Sequence, residues 1–308
     1  MRASYRSLRP LILWKESVRP LEWRALFGRQ APVELEIGFG NGDYLVRRAR
    51  AYPERNFIGI EMEWAGVQRA LRRANGEGVS NLRLILGDAK PILRWVIAPQ
   101  SLTRIYSLFP CPWPKTHHHK YRLFDQACLQ LVNSRLVDGG EFYLLTDHAE
   151  YFGWVLSHLT DTGFRAEART VPPSVGTKYE RKWQEGGQNR FYEMVAQKVA
   201  HCALPLPQEE PMETYRLAEL NPNGIQLSDA DDHPIVKFKE TRYDPQRRIW
   251  MVRVVVVEDD LTQHFWIEAV YTEHGWHIRP MQGCGIVPTV GIQRALDLVY
   301  QASIKGSG

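Results

Sequence analysis

The stretch that most constrains the fold is Val33–Asp43, VELEIGFGNGD. Its first five residues predict a buried strand, because the apolar positions contain no turn former among them. The three glycines that follow, Gly38, Gly40 and Gly42, predict a tight loop whose backbone can approach a ligand closely. The next residues predict a helix, so the loop lies between a strand end and a helix N-terminus. This arrangement is typical of an α/β protein that binds a nucleotide-like ligand.

Three acidic residues lie in or at the ends of consecutive predicted strands. Glu36 is inside the first strand, Glu61 ends strand 56–61, and Asp88 ends the strand that begins at Leu82. A carboxylate on a buried strand is costly unless something pairs with it, and acids at strand ends bind the ribose of nucleotide cofactors. Each acid can also be an ordinary polar residue that closes a strand. As a set, they favour a ligand with hydroxyl, amino or cationic groups.

Two cofactor classes fit such a loop. The nicotinamide fingerprint is Gly-x-Gly-x-x-Gly, but here the third glycine comes one residue early and Asp43 stands in its place. A pyrophosphate would meet that carboxylate, whereas S-adenosylmethionine has no phosphate and carries a sulfonium and an ammonium group. The loop therefore favours S-adenosylmethionine, and a nicotinamide oxidoreductase is the weaker alternative.

The pattern of predicted secondary structure changes along the chain. Predicted strands and helices alternate from residue 33 to residue 162, among them a helix near 120–136, with a loop at 172–189 and a closing strand near 190–199. This pattern indicates an α/β sheet with helices on both faces. Later come three strand-like runs between 235 and 271 and a helix near 288–303. We expect four regions: a basic leader at 1–30, an α/β domain at 31–200, a linker at 201–212, and a small α+β unit at 213–308.

Charge divides the chain as well. Residues 1–200 hold 29 Lys and Arg against 20 Asp and Glu, a balance of +9, and residues 201–308 hold 10 against 15, a balance of −5. The basic part favours a polyanionic partner such as nucleic acid. The leader either lies along RNA or forms a solvated arm. The acidic unit is expected to pack against the catalytic domain or to mediate self-association.

The cysteines and the N-terminus bear on the compartment. The four cysteines have neither the Cys-x-x-Cys pattern nor a zinc spacing, which fits a reducing cytoplasm. The longest apolar run near the N-terminus has four residues, too short for a signal sequence or a membrane span. We expect a soluble cytoplasmic protein with no membrane partner and no metal.

The most informative loop follows the fourth predicted strand: Leu108–Arg122, LFPCPWPKTHHHKYR. Its prolines and Trp113 fix a shape, and Lys115 and the other bases can bind a phosphate or a nucleobase. The loop lies at the carboxyl end of a central strand, over the expected cofactor. The three histidines can also form a metal-binding run, but adjacent histidines cannot all point at one ion.

With these segments in place, the sequence resembles the bacterial tRNA (guanine-N7)-methyltransferase family. The resemblance covers residues 30–199 and rests on six segments in the right order: LEIGFGNG, NFIGIE, SNLRLILGDA, the FPxPWPK loop, Thr146-Asp147, and TKYE at 177–180. It implies the Rossmann-like fold of class I S-adenosylmethionine-dependent methyltransferases. The unit from about residue 205 onward lies outside the resemblance.

The resemblance also implies a function, which is methyl transfer from S-adenosylmethionine to N7 of guanine 46 in the variable loop of tRNA. It places Glu36, Glu61, Asp88 and residue 111 around the cofactor. The residues that it places at the tRNA substrate are Lys115, Asp147, Thr177, Lys178, Tyr179 and Glu180. Of these, Asp147 and Glu180 are expected to hold the guanine edge.

One position departs from the family. Between Pro110 and Pro112 the family usually has an aspartate regarded as catalytic, and this chain has Cys111. Guanine N7 already has a free lone pair, so catalysis consists of alignment and of stabilising the positive charge that grows on the purine. We expect Cys111 to slow the reaction without abolishing it, because Asp147 and Glu180 remain. The alternative is a tRNA-binding protein that keeps the cofactor fold but has little turnover.

Overall fold

The computed structural model describes residues 7–307, without the side chains of Lys178, Tyr179 and Ser307. Arg2 and Arg6 of the predicted leader and those two side chains of the TKYE segment therefore lie outside the described residues. The chain divides into two compact units, Met1–Pro207 and Gln208–Gly308. The division falls within the segment predicted as a linker.

The first unit is built from strands that alternate with helices. Its described strands are β1 (Leu11–Ile12), β2 (Val33–Ile37), β3 (Asn56–Glu61), β4 (Leu82–Leu86), β5 (Leu102–Leu108), β6 (Leu136–Thr146), β7 (Phe164–Val171) and β8 (Phe191–Lys198). Its described α-helices are α1 (Trp23–Phe27), α2 (Asp43–Ala51), α3 (Trp64–Gly76), α4 (Ala89–Trp95), α5 (Gln126–Arg135), α6 (Ala149–Ser157) and α7 (Lys178–Glu185). A 3-10 helix spans Thr116–Tyr121.

These strands form one sheet in the order β1-β4-β3-β2-β5-β6-β8-β7. Strand β8 is antiparallel to β6 and β7, and the remaining neighbours pair in parallel. Because β2 has β3 on one side and β5 on the other, the order of the strands reverses at β2. In open α/β sheets, ligands bind at the carboxyl ends of the strands at such a point. The predicted α/β class is confirmed.

Strand β2 is buried along its whole length although it contains two glutamates. Glu34 is tolerated because its carboxylate accepts hydrogen bonds from Arg48 (2.8 Å), the Tyr106 hydroxyl (2.6 Å) and Arg55. Burial alone would raise the pKa of Glu34, but the hydrogen bonds from Tyr106, Arg48 and Arg55 outweigh it and hold that pKa below its ordinary value. Glu36, two residues on, has no such set of donors.

Two expectations about elements of the first unit are wrong, and one strand was missed. The helix predicted from residue 120 is two elements, the 3-10 helix and α5, because Asp125 caps α5 by accepting from the Cys128 amide at 2.8 Å. The loop predicted at 172–189 contains α7. Strand β7, which pairs with β8, was not predicted at all.

Part of the leader is packed against the sheet, whereas α1 has no buried residue. Strand β1 pairs in parallel with β4. Trp14 is buried, and its indole Nε1 donates to the carbonyl of Leu86 at 3.2 Å. Leu21 is also buried. Residues 11–21 are therefore an edge of the α/β unit.

The second unit is an antiparallel sheet with one helix. Its described strands are β9 (Tyr215–Leu217), β10 (Ile235–Asp244), β11 (Ile249–Glu258), β12 (Leu261–Thr272) and β13 (Gly275–Pro280), in the order β10-β11-β12-β13-β9. Helix α8 (Val290–Ser307) contributes Ile292, Leu296 and Val299 to one apolar core with the sheet. Strands β9 and β13 were missed from the sequence. Among the helices of residues 7–307, none is long and apolar enough to cross a membrane.

Candidate functional site

The glycine loop joins the carboxyl end of β2 to α2. Gly42 has φ of 76° and precedes the helix, where a Cβ would lie 2.6 Å from the Cβ of Ala70 on α3. Only glycine therefore fits there. The loop is fastened to β3, because the Gly38 amide donates to the carbonyl of Ile60 at 2.8 Å and the Gly40 amide donates to Glu61 at 2.7 Å.

Glu36 carries the unusual chemistry of the site. Its side chain is 3% exposed, and its Oε2 has no hydrogen-bond partner among the described residues. Burial, with smaller contributions from the negative charges of Glu61 and Asp43, raises the pKa of Glu36 to about 8. An unpaired buried carboxylate is costly unless a ligand supplies a positive charge or a proton donor. Glu36 is therefore a candidate contact for a cationic group.

A small cavity lies beside this carboxylate. It has a volume of about 20 Å³ and lies between the glycine loop, the end of β5 and the start of α7. Its lining residues are Glu36, Gly38, Phe39, Gly40, Asn41, Tyr44, Leu108, Phe109 and Thr177. Because pockets for nucleotide-sized ligands are usually hundreds of Å³, a ligand of that size enters only if part of this wall moves. On the α7 side the lining residue is Thr177, which directly follows a segment without regular structure.

The two other predicted cofactor acids lie at the ends of neighbouring strands. Glu61 ends β3, and its two carboxylate oxygens accept from the amides of Gly40 (2.7 Å) and Glu63 (3.0 Å). Asp88 follows β4 and caps α4 by accepting from the Lys90 amide at 3.0 Å. Carboxylate oxygens have several lone pairs, so both acids can still accept from a ligand. The structure brings Glu36 and Glu61 together and places Asp88 one strand farther out.

The predicted catalytic positions follow β5 and β6, which are parallel neighbours with Leu108 opposite Leu145. Cys111 is a free, exposed thiol on the loop after β5. Asp147 directly follows β6 and is half-buried. Lys115 is exposed on the loop after β5. Strand pairing therefore puts the loop with Cys111 and Lys115 beside the strand end with Asp147.

Glu180 orders the segment before α7. Its side chain is 1% exposed, and its two oxygens accept from the backbone amides of Ser174, Val175 and Gly176. Thr177 is the N-cap of α7 and accepts from the Glu180 amide at 3.2 Å. Both oxygens of Glu180 are thus engaged by backbone, so its direct contact with guanine stays a prediction.

A hydrogen bond and an ion pair with α2 connect α7 and the segment before it to the helix that follows the glycine loop. Arg47 donates to the carbonyl of Val175. Arg181 of α7 lies 3.4 Å from the carboxylate of Asp43. Neither arginine was singled out from the sequence. The spacing Thr-x-x-Glu at 177–180 is a capping-box signal, which could have indicated the start of α7.

The histidines of the 3-10 helix do not join a metal centre. Within the part of the chain that the structure describes, no group of three or more His, Cys, Asp or Glu side chains is arranged to hold an ion. His119 instead lies 3.6 Å from Glu150 of α6.

Without the edge strand β1, the sheet has a defined topology. If the seven strands from β2 to β8 are numbered from first to seventh along the chain, their order across the sheet is third, second, first, fourth, fifth, seventh and sixth. The seventh strand is antiparallel to its neighbours, and the glycine loop follows the first. This order, with an acid at the end of the second strand, defines a class I S-adenosylmethionine-dependent methyltransferase. The unpaired buried oxygen of Glu36 fits a cofactor that carries an ammonium and a sulfonium group.

Comparison with known proteins identifies the family within this class of methyltransferases. A family described as "Putative methyltransferase" matches residues 30–193. The tRNA (guanine-N(7)-)-methyltransferase of Chlorobium phaeobacteroides is 43% identical over 169 residues, which cover 55% of this chain and 83% of that protein. The protein of the same name from Thermus thermophilus is 35% identical over 264 residues, covering 83% of this chain and 84% of its own. The chain belongs to the tRNA (guanine-N7)-methyltransferase family.

The Thermus match also corrects an expectation about the second unit. A match over 83% of 308 residues cannot fit within the first 207, so it extends into the unit that the sequence motifs left outside the family. Among solved structures, the 16S rRNA methyltransferase KamB covers 57% of this chain and 92% of its own, at 13% identity and a TM-score of 0.46. The fold assignment rests on the strand order and not on that likeness.

Proposed function

We propose that this chain transfers the methyl group of S-adenosylmethionine to N7 of guanine 46 in the variable loop of tRNA. Family membership supports the reaction and the class of RNA, because the relatives carry that name. The observation that carries the proposal is Glu36, a buried carboxylate with an unpaired oxygen beside the cavity at the switch point of the sheet. Position 46 is supported by the resemblance of the segments at 108–122 and 177–180 to the family.

Three acids take separate parts of the cofactor in this proposal. Glu36 holds its cationic groups, because it is buried and unpaired on one oxygen. Glu61 accepts from the ribose hydroxyls, and Asp88 accepts from the adenine amino group. The backbone that approaches the cofactor is supplied by Gly38, Gly40 and Gly42. Cys111, on the loop after β5, lies at the reacting end.

The tRNA contacts come from the loops after β5 and β6 and from the start of α7. Lys115 binds a phosphate, since its ammonium group is exposed. Asp147 holds the guanine edge at the end of β6. The segment Thr177–Glu180 closes over both ligands, with Glu180 fixing the backbone of residues 174–176.

The chemistry needs little from the protein beyond placement and charge. S-adenosylmethionine supplies a methyl group bound to a positively charged sulfur. The N7 lone pair forms the new bond to the methyl carbon, while the electrons of the carbon–sulfur bond stay on sulfur, and no proton is transferred. Positive charge therefore moves onto the purine, where the Asp147 carboxylate stabilises it. Alignment of the two reactants supplies the rest of the acceleration.

We place this reaction in the cytoplasm. The sequence has no Cys-x-x-Cys pair, as expected in a reducing compartment, and tRNA is present there.

The test uses the full-length protein, labelled S-adenosylmethionine and unmodified tRNA. Two transcripts are compared, one with guanine at position 46 and one with adenine there. We expect N7-methylguanosine in the first transcript only. If neither transcript is methylated above background, the activity is wrong; if both are methylated equally, the activity stands and the position is wrong.

A further inference from the structure

The loop after β5 carries exposed aromatic rings that the proposed reaction does not use. Trp113, His118 and Tyr121 contact one another with ring centroids 5.4 to 5.9 Å apart, and we call these three residues the ring cluster. They are not core residues, because Tyr121 is 53% exposed and the other two are half-buried. His117 adds an exposed ring 4.0 Å from His118. A cluster of this kind presents flat apolar faces to a partner.

The ring cluster is held in place by a buried arginine. Arg122 is 2% exposed, and its Nε donates to the carbonyl of Pro112 at 2.9 Å. Its guanidinium also donates to Glu150 of α6 at 2.8 Å and lies over the ring of Trp154, 5.4 Å from the centroid. Because the bond to Pro112 closes the loop between residues 112 and 122, it restrains the segment that carries the rings before any ligand arrives. A preset surface loses less conformational freedom on binding.

Charge around the ring cluster is positive. Lys115 and Lys120 are exposed, and the Lys120 ammonium lies 5.2 Å from the centroid of the Tyr121 ring. Residues 108–124 contain no Asp or Glu. Flat rings bordered by lysines fit a nucleobase with its phosphates, whereas an acidic peptide would satisfy the lysines without using the ring faces.

The ring cluster also lies next to the reacting centre along the chain. Phe109, at the start of the same loop, lines the cavity beside Glu36 and stacks edge-on against Phe191, with centroids 5.5 Å apart. Cys111 precedes Trp113 by two residues. The ring cluster is therefore on the same loop as a residue of the cavity wall and as the proposed position 111.

We infer that the ring cluster stacks the nucleobase that neighbours the methylated guanine, with Lys115 and Lys120 at its phosphates. This inference rests on the proposed function. A guanine that turns towards the methyl donor leaves the stack with its neighbour, and proteins that read unpaired RNA commonly stack such bases on aromatic side chains. The ring cluster positions the substrate and does not touch the reacting atoms.

The first experiment measures methylation by full-length Tyr121→Ala and Tyr121→Phe variants. Base–aromatic stacking is worth about 5- to 150-fold in affinity, so Tyr121→Ala is expected to raise the KM for tRNA by a factor in that range. The kcat and the affinity for S-adenosylmethionine should stay within about twofold. Tyr121→Phe keeps the ring and should behave as the parent. If Phe and Ala are equally impaired, the hydroxyl matters rather than the ring, and the inference is wrong.

The second experiment identifies the stacked base. Two tRNAs are made with an abasic nucleotide, one on the 5′ side and one on the 3′ side of the methylated guanine. On one of them the parent should lose affinity and Tyr121→Ala should cost nothing further, because the stacking partner is already gone. If Tyr121→Ala costs the same factor on intact tRNA and on both abasic tRNAs, the ring cluster does not bind a neighbouring base.

Failure of the proposed function gives a different result. If the parent binds tRNA but does not methylate it, the proposed function fails. The same comparison of variants and abasic tRNAs is then made with dissociation constants in place of KM. Coupling between Tyr121 and one abasic position supports stacking in that case too, and additive losses overturn it.

Discussion

Two glutamates on the same face of one strand show how the environment of a residue decides its role. Glu34 and Glu36 are both buried in β2. Glu34 has donors from three side chains, whereas one oxygen of Glu36 has no partner in the described structure. The pKa is lowered for the first and raised to about 8 for the second. The first carboxylate serves the fold, and the second is available to a ligand.

The free energy of unfolding should depend on pH through Glu36. Its pKa is about 8 in the folded protein and near 4.3 in an unfolded chain. Between these values the folded state holds a proton that the unfolded state has lost, so the stability of the cofactor-free protein falls as pH rises, by up to about 1.4 kcal/mol per pH unit. The loss of stability caused by Glu36 is absent below the unfolded pKa of about 4.3, and it is complete above pH 8. Urea unfolding from pH 5 to pH 8.5 measures it.

The variant Glu36→Gln should remove that pH dependence and stabilise the cofactor-free protein at pH 8. The matched control is Glu34→Gln on the same strand. It should destabilise the protein at pH 7, because Arg48 then loses its charged partner. Equal pH dependence of stability in Glu36→Gln and the parent would contradict the assignment of the raised pKa to Glu36.

Glu36→Gln should also weaken cofactor binding. Hydrogen bonds to charged groups contribute about 1.5–3 kcal/mol, so we expect the Kd for S-adenosylmethionine to rise roughly 10- to 150-fold. Calorimetry measures it directly. An unchanged Kd would mean that the cofactor's cationic groups are bound elsewhere.

Cys111→Asp tests the departure from the family at that position. A carboxylate there adds negative charge near the purine as it becomes positive, so we expect kcat to rise about tenfold, less than for a fully buried group because the position is exposed. Cys111→Asn has the same shape without the charge and should give no increase. If the parent is inactive and the aspartate variant is active, the chain is a tRNA-binding protein that has lost turnover. Equal rates in all three would show that position 111 is remote from the charge.

At the scale of the element, we predict that α7 and the segment before it move to admit the cofactor to the cavity beside Glu36. Thr177 lines a cavity of only about 20 Å³, and the segment is tied down by Glu180, Arg47 and Arg181. Because the cofactor is much larger than this cavity, the segment is the natural part to move. Val175 belongs to a small apolar cluster against which Trp183 packs, and the remaining ties are a few hydrogen bonds, so the segment opens at lower cost than the sheet.

Glu180→Gln should loosen this segment. The amide side chain keeps one acceptor oxygen but brings an NH2 group towards backbone amides that need acceptors, so the amides of Ser174, Val175 and Gly176 should exchange with solvent faster, by about tenfold or more. Cofactor affinity should fall with it. Hydrogen exchange read by mass spectrometry checks both predictions. Glu185→Gln at the exposed end of α7 is the control, and equal exchange in the two variants would contradict the role given to Glu180.

The elements that could be predicted are those with strong patterns. Strand β2 and its glycine loop were read correctly because apolar runs and glycines carry the signal locally. Strand β7 was missed although Phe164–Arg169 alternates apolar and charged residues, because two of the three apolar residues in that stretch are alanines and the strand lies at the edge of the sheet with most side chains exposed. Helix α7 was taken for a loop because Pro172, Pro173 and three glycines surround it.

Some residues of the candidate site could likewise be predicted from the sequence, and others could not. Acids at strand ends could be found from the sequence, since parallel strands bring their carboxyl ends to one edge. The partners that fix loops could not be, because they join residues far apart in the chain. Arg122 reaches Glu150 across 28 residues, and Arg47 reaches Val175 across 128. Nothing in the local sequence marks either pair.

At the scale of the whole molecule, the two units differ in charge and have separate cores. The first unit carries the surplus of 9 positive charges and the second the surplus of 5 negative charges, because residues 201–207 contain no charged residue other than His201. The second unit has its own buried cluster, which includes Trp250, Phe265 and Leu296. A unit with its own core can fold by itself. The methyltransferase unit should therefore survive without it.

The hydrogen bonds of Arg135 indicate where the chain can be shortened to remove the second unit. Arg135 is fully buried, and its guanidinium donates to the carbonyl of Leu204 at 2.8 Å, as its Nε does to the carbonyl of Leu93 at 2.7 Å. A chain that ends at His201 loses the Leu204 carbonyl and leaves a buried charged donor without its acceptor, which costs about 1–3 kcal/mol or more. A chain that ends at Pro207 keeps it. Unfolding in urea should show the protein ending at Pro207 to be the more stable of the two.

The protein ending at Pro207 should still bind S-adenosylmethionine and methylate tRNA, because every residue proposed for the site belongs to the first unit. Removing the acidic unit should leave the slope of log affinity for tRNA against log salt nearly unchanged, since that slope counts the phosphates neutralised by cations. We expect the loss to appear instead in stability or in the mass measured by sedimentation, as predicted for a unit that packs on its neighbour or self-associates. If the truncation flattens the salt slope by several units while stability and mass stay as expected for an independent domain, the second unit binds RNA through cations that its net charge conceals.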